Sequence, residues 1–199
     1  MDEREAIRRC QAGDMGGLET LYNLYHLKVF RTAYGILRNR ASAEDATQEV
    51  FVKLSGVLAR FDTGRPLAPW VHRLAVNACL DSLKRHRRGS VSLDDALEVQ
   101  SPDPPLDDLV LDLERRETVW RAIGKLDPKQ RAAVVLRYYH ELNEAEMAIA
   151  LRCRRGTVKS RLHYALEALH KILAGPPSFD DPAVDGAAII ADVRGSGLG

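Results

Sequence analysis

The stretch LNEAEMAIALRCRRGTVKSRLHYALEAL, residues 142–169, gives the clearest indication of how this chain folds. A short apolar helical pattern at 143–151 meets an arginine-rich break, and a longer helical pattern follows at 154–173. On a helical wheel the apolar residues of the longer helix share one side, opposite small, hydrogen-bonding and cationic groups. Two helices joined by a tight turn, the second with a basic outer face, are typical of a helix-turn-helix.

The outer face of the longer helix carries groups suited to nucleic acid. Arginine and lysine pair with phosphates, while Thr157 and Ser160 are short enough to let the backbone approach base edges in a major groove. The candidate residues are Arg154, Arg155, Gly156, Thr157, Lys159, Ser160, Arg161 and Tyr164. A solvated amphipathic helix in a helical bundle explains the same spacing, so the pattern alone leaves both interpretations open.

Charge is nearly balanced over the whole chain but unevenly distributed along it. The 199 residues carry a formal net charge of +1. A dense basic run, KRHRR, occupies 84–88, whereas 89–112 contains seven acidic residues and neither lysine nor arginine. Basic residues return at 152–161 without an acid among them. Two basic zones separated by an acidic segment indicate two contacts with a polyanion.

Several function classes are disfavoured by what the sequence lacks. Cys10, Cys79 and Cys153 are far apart and form no C-x-x-C pair, which argues against a disulfide framework or a zinc site. No signal peptide or membrane-spanning run is recognisable, so we expect a cytoplasmic protein. There is no H-E-x-x-H, glycine-rich phosphate loop or nucleophile constellation, so we expect neither enzyme activity nor a cofactor or metal.

Helical periodicity dominates the chain, without a convincing alternating strand pattern. The sequence predicts an all-α protein with two helical domains joined by an acidic flexible linker, the second ending in the helix-turn-helix. The predicted boundaries are 1–88 and 113–174 for the domains, 89–112 for the linker and 175–199 for a loosely ordered tail. Helix starts are expected at Ser42, with Asp45 completing a capping box, at Pro69 and at Asp127-Pro128.

Four stretches together resemble the extracytoplasmic-function (ECF) group of the sigma-70 family. CRRGTVKSRLHYALEAL (153–169) resembles the fourth conserved region, and EDATQEVFVKL (44–54) resembles the signature of region two. PWVHRLAVNACLDSLKRHRR (69–88) resembles the continuation of region two. LDPKQRAAVVLRYYHELNEAEMAIAL (126–151) resembles the approach to the helix-turn-helix, where Leu-Pro-x-x-x-Arg is usual. Both regions in order, with this spacing, make the resemblance specific.

The resemblance implies a sigma factor that binds the beta and beta-prime subunits of core RNA polymerase and helps to open promoter DNA. The first domain would read the minus-ten element as a partly melted strand, and the second would read the minus-thirty-five element as duplex. The acidic linker would follow the path of template strand and RNA, where its charge mimics nucleic acid. An anti-sigma factor remains an open question, and neither a catalytic residue nor membrane insertion is implied.

The same resemblance assigns roles to individual residues of the first domain. The implied polymerase-binding residues are Asp45, Gln48, Glu49, Phe51 and Val52. The implied minus-ten residues are Trp70, His72, Arg73, Asn77, Lys84, Arg85, Arg87 and Arg88. His72 stands where the family often has an aromatic and would stack on a splayed base, while Asn77 offers an amide to a base edge. A core tryptophan at 70 and a solvated basic face at 84–88 are the ordinary alternatives.

Two departures from the family pattern lie in the helix-turn-helix. Arg154 replaces the usual proline, and Arg152 replaces a common glycine. If the turn needs a positive φ at 152, arginine costs on the order of 1 kcal/mol there. The competing function is a helix-turn-helix regulator that binds duplex DNA without acting as a sigma factor. A two-component activator of that kind would need an alternating α/β receiver, and 1–88 shows no strand runs.

Overall fold

The computed structural model describes residues 2–89 and 110–174, and within these ranges the regular elements are all helical. In chain order they are α1 (Glu3–Gln11), α2 (Met15–Leu37), α3 (Arg40–Leu58), α4 (Ala68–Gly89), α5 (Val110–Gly124), α6 (Pro128–Val134), a π-helical turn (Val135–Tyr139), α7 (Glu144–Ala150) and α8 (Arg155–Leu173). The all-α prediction is confirmed. Most of the predicted linker and the whole predicted tail fall outside the described residues. Within the described ranges, the helices lack the length and apolar character needed to cross a bilayer.

Side-chain caps fix where several helices begin. Asp127 accepts a hydrogen bond from the backbone N–H of Lys129 at 2.9 Å, so the predicted start at Asp127-Pro128 is confirmed. The predicted capping box at Ser42 is wrong by three residues. Asn39 caps α3 instead, because its backbone is extended and its Oδ1 accepts from the Ser42 N–H at 2.9 Å.

A long helical pattern at 130–140 does not continue as a regular α-helix. α6 ends at Val134, and the chain widens into the π-helical turn before His140. The apolar spacing of this segment gives no sign of the wider turn, which is a single-turn feature. α7 follows, and Asn143 and Glu146 form a complete capping box at its start.

The two halves of the chain are packed against each other. α2 contacts α1, α3 and α4, and it also contacts α6 and the π-helical turn of the second half, while α4 contacts α7. One cluster of buried apolar side chains spans both halves and includes Leu21 and Val71 from the first and Leu136 and Met147 from the second. A second cluster, around Ile123 and Leu169, belongs to the second half alone. The predicted domain boundaries stay a prediction.

Gly35 lets the halves approach closely. A Cβ atom at this position would lie 2.9 Å from Val135 Cγ2 across the junction, which is closer than side chains tolerate. Next to it, the buried Arg38 guanidinium lies over the Trp120 ring of α5, 5.1 Å from the ring centroid. The junction is thus close-packed at the C-terminal end of α2.

Candidate polymerase and nucleic-acid surfaces

The outer face of α3 carries three of the predicted polymerase-binding residues. Asp45, Gln48 and Val52 are exposed, and their spacing places them on one side of the helix. Val52 is unusual for an apolar side chain, because 74% of its surface is accessible. An exposed carboxylate, amide and valine in a row form a mixed surface of the kind that protein interfaces use. We call Asp45, Gln48 and Val52 the α3 face.

The other two predicted polymerase-binding residues point elsewhere. Phe51 is only 9% exposed and packs on the Tyr22 ring, with centroids 4.7 Å apart. It therefore supports α3 from the core side and does not belong to the surface. Glu49 is half-buried and forms ion pairs with Lys53 on its own helix and with Arg85 on α4, the latter at 3.4 Å. Its hydrogen bond with Lys53 is the main reason that the pKa of Glu49 is lowered.

Three predicted minus-ten residues share one side of α4. Trp70, Arg73 and Asn77 are half-buried and are spaced three and four residues apart. The Arg73 guanidinium lies over the Trp70 ring, 4.9 Å from its centroid. A cation stacked on an indole presents both charge and a π surface, which suits a single strand with phosphates and bases. Trp70 also packs edge-on against Phe61, so it is part core residue and part surface residue.

The basic run at the end of α4 is partly neutralised within the chain. Lys84 pairs with Asp81 at 3.1 Å, and Arg85 pairs with Glu49. These exposed pairs are weak and can exchange for phosphate at little cost. Arg87 is exposed and Arg88 lies in the last turn of the helix. A polyanion can therefore replace the weak intramolecular partners of Lys84 and Arg85.

The predicted helix-turn-helix is formed by α7, a tight turn and α8. The turn closes with the Cys153 N–H donating to the Ala148 carbonyl at 3.1 Å. Lys159 on α8 pairs with Glu144 on α7 at 3.6 Å. Val158, Ala165 and Leu169 are buried, as the helical wheel predicts. The two helices thus hold a fixed angle around a small apolar contact.

The outer side of α8 is open to solvent. Arg154, Arg155, Gly156, Thr157, Lys159, Ser160 and Tyr164 are all exposed. Tyr164 keeps 58% of its surface accessible. Arg161 is half-buried and its guanidinium lies 3.7 Å from the Cys153 sulfur, so it leans back on the turn. Among the eight predicted residues, Arg161 is the one that the fold partly withdraws from this surface.

Arg152 adopts the left-handed backbone conformation, with a φ of 49°. The sequence predicts strain here if the turn needs a positive φ, and that condition holds. We expect the free energy of unfolding of Arg152→Gly to be about 1 kcal/mol larger than that of Arg152→Ala. Both variants lose the same charge, but only glycine adopts the positive φ without strain. Urea unfolding followed by circular dichroism measures the difference. Equal stabilities of the two variants would contradict this explanation.

His72 is not on the surface, contrary to the role expected for it. Only 3% of this residue is exposed, and its ring lies against His140 of the second half. In this arrangement it cannot stack on a base. Val76, one turn further along α4, is 2% exposed and lies on the same side. α4 packs on both α2 and α7, and the contacts of His72 with Thr32 and His140 place this side of the helix in the interior.

Arg131 is a residue whose role the sequence did not reveal. It belongs to the Leu-Asp-Pro-Lys-Gln-Arg stretch, but no function followed from the motif. Its guanidinium donates to the Ile36 carbonyl at 2.6 Å, across the junction, and to the Leu126 and Gly124 carbonyls within its own half. Three backbone carbonyls at helix ends are satisfied by one side chain.

Family models match both halves of the chain. Residues 21–89 match Sigma-70 region 2, and residues 116–169 match Sigma-70, region 4. An RNA polymerase sigma factor of the ECF type, SigM of Mycobacterium tuberculosis, is 31% identical over 172 residues, which cover 86% of this chain and 84% of SigM. The chain is an ECF sigma factor of the sigma-70 family.

Other relatives agree with this membership. SigW of Bacillus subtilis, also an ECF RNA polymerase sigma factor, is 29% identical over 179 residues, covering 85% of this chain and 96% of SigW. Because the relatives align with both regions, the sigma factor is favoured over a regulator that has only a helix-turn-helix. This sigma factor is thus a transcription initiation factor.

The same fold has been seen in a solved structure. The sigma factor RpoE of Bartonella quintana, in a co-crystal with the anti-sigma factor NepR, matches with a TM-score of 0.61. The match covers 78% of this chain and 95% of that chain at 21% sequence identity, which establishes the shared fold.

Proposed function

We propose that this sigma factor binds core RNA polymerase through the α3 face. The observation that carries the proposal is the exposure of Asp45, Gln48 and Val52 in one row of a helix whose other side is fully built into the core. Phe51 supports this surface from beneath, and Glu49 links it to α4 through Arg85.

The division of labour between the halves follows from their surfaces. Residues 1–88 are the proposed region for polymerase and the minus-ten strand, with Trp70, Arg73 and Asn77 as the strand-reading residues. Residues 113–174 are the proposed region for the minus-thirty-five duplex. The remaining segments, 89–112 and 175–199, serve as acidic linker and tail in this proposal. Lys84, Arg85, Arg87 and Arg88 would hold phosphates near the melted strand.

The sigma factor would work without a catalytic residue, cofactor or metal of its own, as a cytoplasmic subunit of the polymerase. Its expected partners are the beta and beta-prime subunits and promoter DNA. An anti-sigma factor is a further expected partner, because the Bartonella relative was solved with one.

Transcription with purified components tests the proposal directly. Purified sigma factor is added to sigma-free core polymerase with genomic DNA of its host, and the 5′ ends of the transcripts are sequenced. We expect start sites that share two upstream elements with constant spacing. A chain that bound promoter DNA but gave no such transcripts would support the competing regulator instead.

The α8 surface should contain two kinds of contact. Lys159→Ala should weaken binding to preferred and scrambled promoter DNA alike. It should also reduce the slope of log affinity against log salt concentration by about one. Ser160→Ala should cost about 1–3 kcal/mol on the preferred upstream element and much less on scrambled DNA. Affinities of the polymerase-bound form for both sequences at several salt concentrations measure the two effects. Identical sequence ratios and salt slopes for the two variants would refute this division.

A further inference from the structure

A buried polar cluster lies where the two halves meet. The Thr32 hydroxyl on α2 is 3.3 Å from His72 Nδ1 on α4 and 2.8 Å from His140 Nε2 at the end of the π-helical turn. The centroids of the two imidazole rings are 4.5 Å apart. Three elements from both halves therefore meet at one hydroxyl group. We call Thr32, His72 and His140 the histidine clasp.

The hydrogen bonds of Thr32 determine where the protons lie. Its hydroxyl donates its single proton to the Lys28 carbonyl oxygen, at 2.9 Å, so it acts as acceptor toward both rings. His72 then donates from Nδ1 and His140 from Nε2. Each ring is satisfied in its neutral form, and a second proton would bring a positive charge into the junction.

Both rings are in surroundings that oppose such a charge. Burial, followed by the nearby Lys28 ammonium, lowers the pKa of His72 to about 4. Burial, followed by His72, Lys28 and Arg31, lowers the pKa of His140 to about 3. The cations on α2 thus add to the effect of desolvation.

The other elements at the junction contribute further positive charge. Arg73 follows His72 on α4, and burial together with Arg152 from the turn before α8 lowers its pKa. Glu141 follows His140 in the chain, but its side chain is exposed. The charged groups around the clasp are therefore mainly cations, which repel a protonated imidazole.

The clasp holds closed a surface that the proposed function requires. His72 and Val76 on α4 are buried, and His72 lies against Thr32 of α2 and against His140 of the second half. A melted strand could reach this side only after the second half has moved away. A change that breaks the histidine clasp would therefore expose the His72 side of α4.

We propose that the histidine clasp is a proton-sensitive latch, which keeps α4 covered at neutral pH and releases the second half when the interior of the cell acidifies. The functional meaning of the release rests on the proposed role of α4 in strand reading, but the latch itself is a property of the free chain.

The direction of the pH effect follows from linkage. A histidine in water has an ordinary pKa of about 6.5. Above about pH 7 both rings are neutral whether the chain is closed or open, so closure does not depend on pH. Below about pH 6.5 the open chain takes up protons that the closed chain excludes. The open-to-closed ratio then rises about tenfold per pH unit for each ring, until the pH approaches the lowered values of the closed form.

Opening can be followed in the free, full-length chain. The two tryptophans are Trp70 and Trp120, and a Trp70→Phe background leaves Trp120 as the reporter at the junction, beside Arg38 and Tyr139. Fluorescence of Trp120 and the radius of gyration from X-ray scattering are measured between pH 7.5 and 5.0, with circular dichroism as the check on helicity. We expect a reversible red shift and expansion below pH 6.5 without loss of helix.

Matched variants separate the clasp from general acid effects. His140→Gln keeps an amide N–H for Thr32 but cannot be protonated, so its open-to-closed ratio should rise about tenfold less per pH unit than that of wild type. His72→Gln serves as the second variant. His170→Gln, on the last turn of α8, removes a histidine outside the clasp and should behave as wild type. A wild-type chain that does not open, that loses its helices instead, or that opens with the same steepness in all variants would overturn the proposal.

The latch and the proposed function can fail separately. The opening measurements need neither polymerase nor DNA, so they remain decisive even if transcription assays fail. If the chain opens as expected but start sites are absent, the latch stands and the proposed function fails.

Discussion

Replacing Arg131 with methionine should lower the free energy of unfolding by about 3 kcal/mol. The arginine donates to three carbonyls, of Gly124, Leu126 and Ile36, and methionine leaves all three without this donor at a half-buried site. Because the Ile36 bond crosses between the halves, the loss should also loosen their packing. Urea unfolding of the full chain, followed by circular dichroism, measures the effect.

Two further variants make this test specific. Arg121→Met removes an exposed arginine that pairs with Glu117 at 3.7 Å, and it should change stability by less than about 0.5 kcal/mol. Arg131→Lys keeps the charge but cannot reach three acceptors with the same geometry, so it should fall between wild type and Arg131→Met. If Arg131→Met is as stable as Arg121→Met, the carbonyl bridge contributes little.

The second large effect concerns the α3 face. The double replacement Asp45→Ala with Gln48→Ala should weaken association with core polymerase by about tenfold or more, as expected for residues at the centre of an interface. Both side chains are exposed and neither holds the core, so helicity should be unchanged. Titration of labelled protein with core polymerase measures the dissociation constant.

The control removes the same chemistry from the second half. Glu117→Ala with Gln130→Ala deletes one carboxylate and one amide away from α3, and it should leave the dissociation constant within about twofold. A double variant at Asp45 and Gln48 that is folded and binds core polymerase as tightly as this control would exclude the α3 face as the interface.

Periodicity and cap chemistry in the sequence were enough to predict the helices. The buried side of α8 and the start at Asp127 follow from local rules that depend on residues a few positions apart. The sequence predicted strain at Arg152 if the turn needs a positive φ, because a glycine is common there in the family, and the structure has a positive φ. The start of α3 shows the limit of these rules. Ser42 and Asn39 both have side chains that can cap a helix, and the structure shows that Asn39 is the cap.

The junction between the halves could not be predicted from the sequence. Apolar periodicity indicates which side of a helix is covered, but not by which partner. His72 was therefore read as strand-facing, although it is buried against His140 in this structure. The pairing of Thr32 with His140 joins residues 108 positions apart, and nothing in either local segment signals it. For the same reason, the sequence placed Arg131 in a motif but did not reveal which groups it contacts.

The close approach at Gly35 has a consequence for affinity. With the proposed latch, free chains divide between a covered and an uncovered form, and a melted promoter strand reaches the His72 side of α4 only in the second. The measured dissociation constant is the intrinsic one divided by the uncovered fraction, so tight packing at the junction makes binding look weaker than the surfaces themselves allow. A side chain at position 35 would push Val135 away and raise that fraction. Such a substitution meets Val135 and Trp120 and none of the strand-reading residues, so it should tighten binding of the melted strand without adding a contact to it.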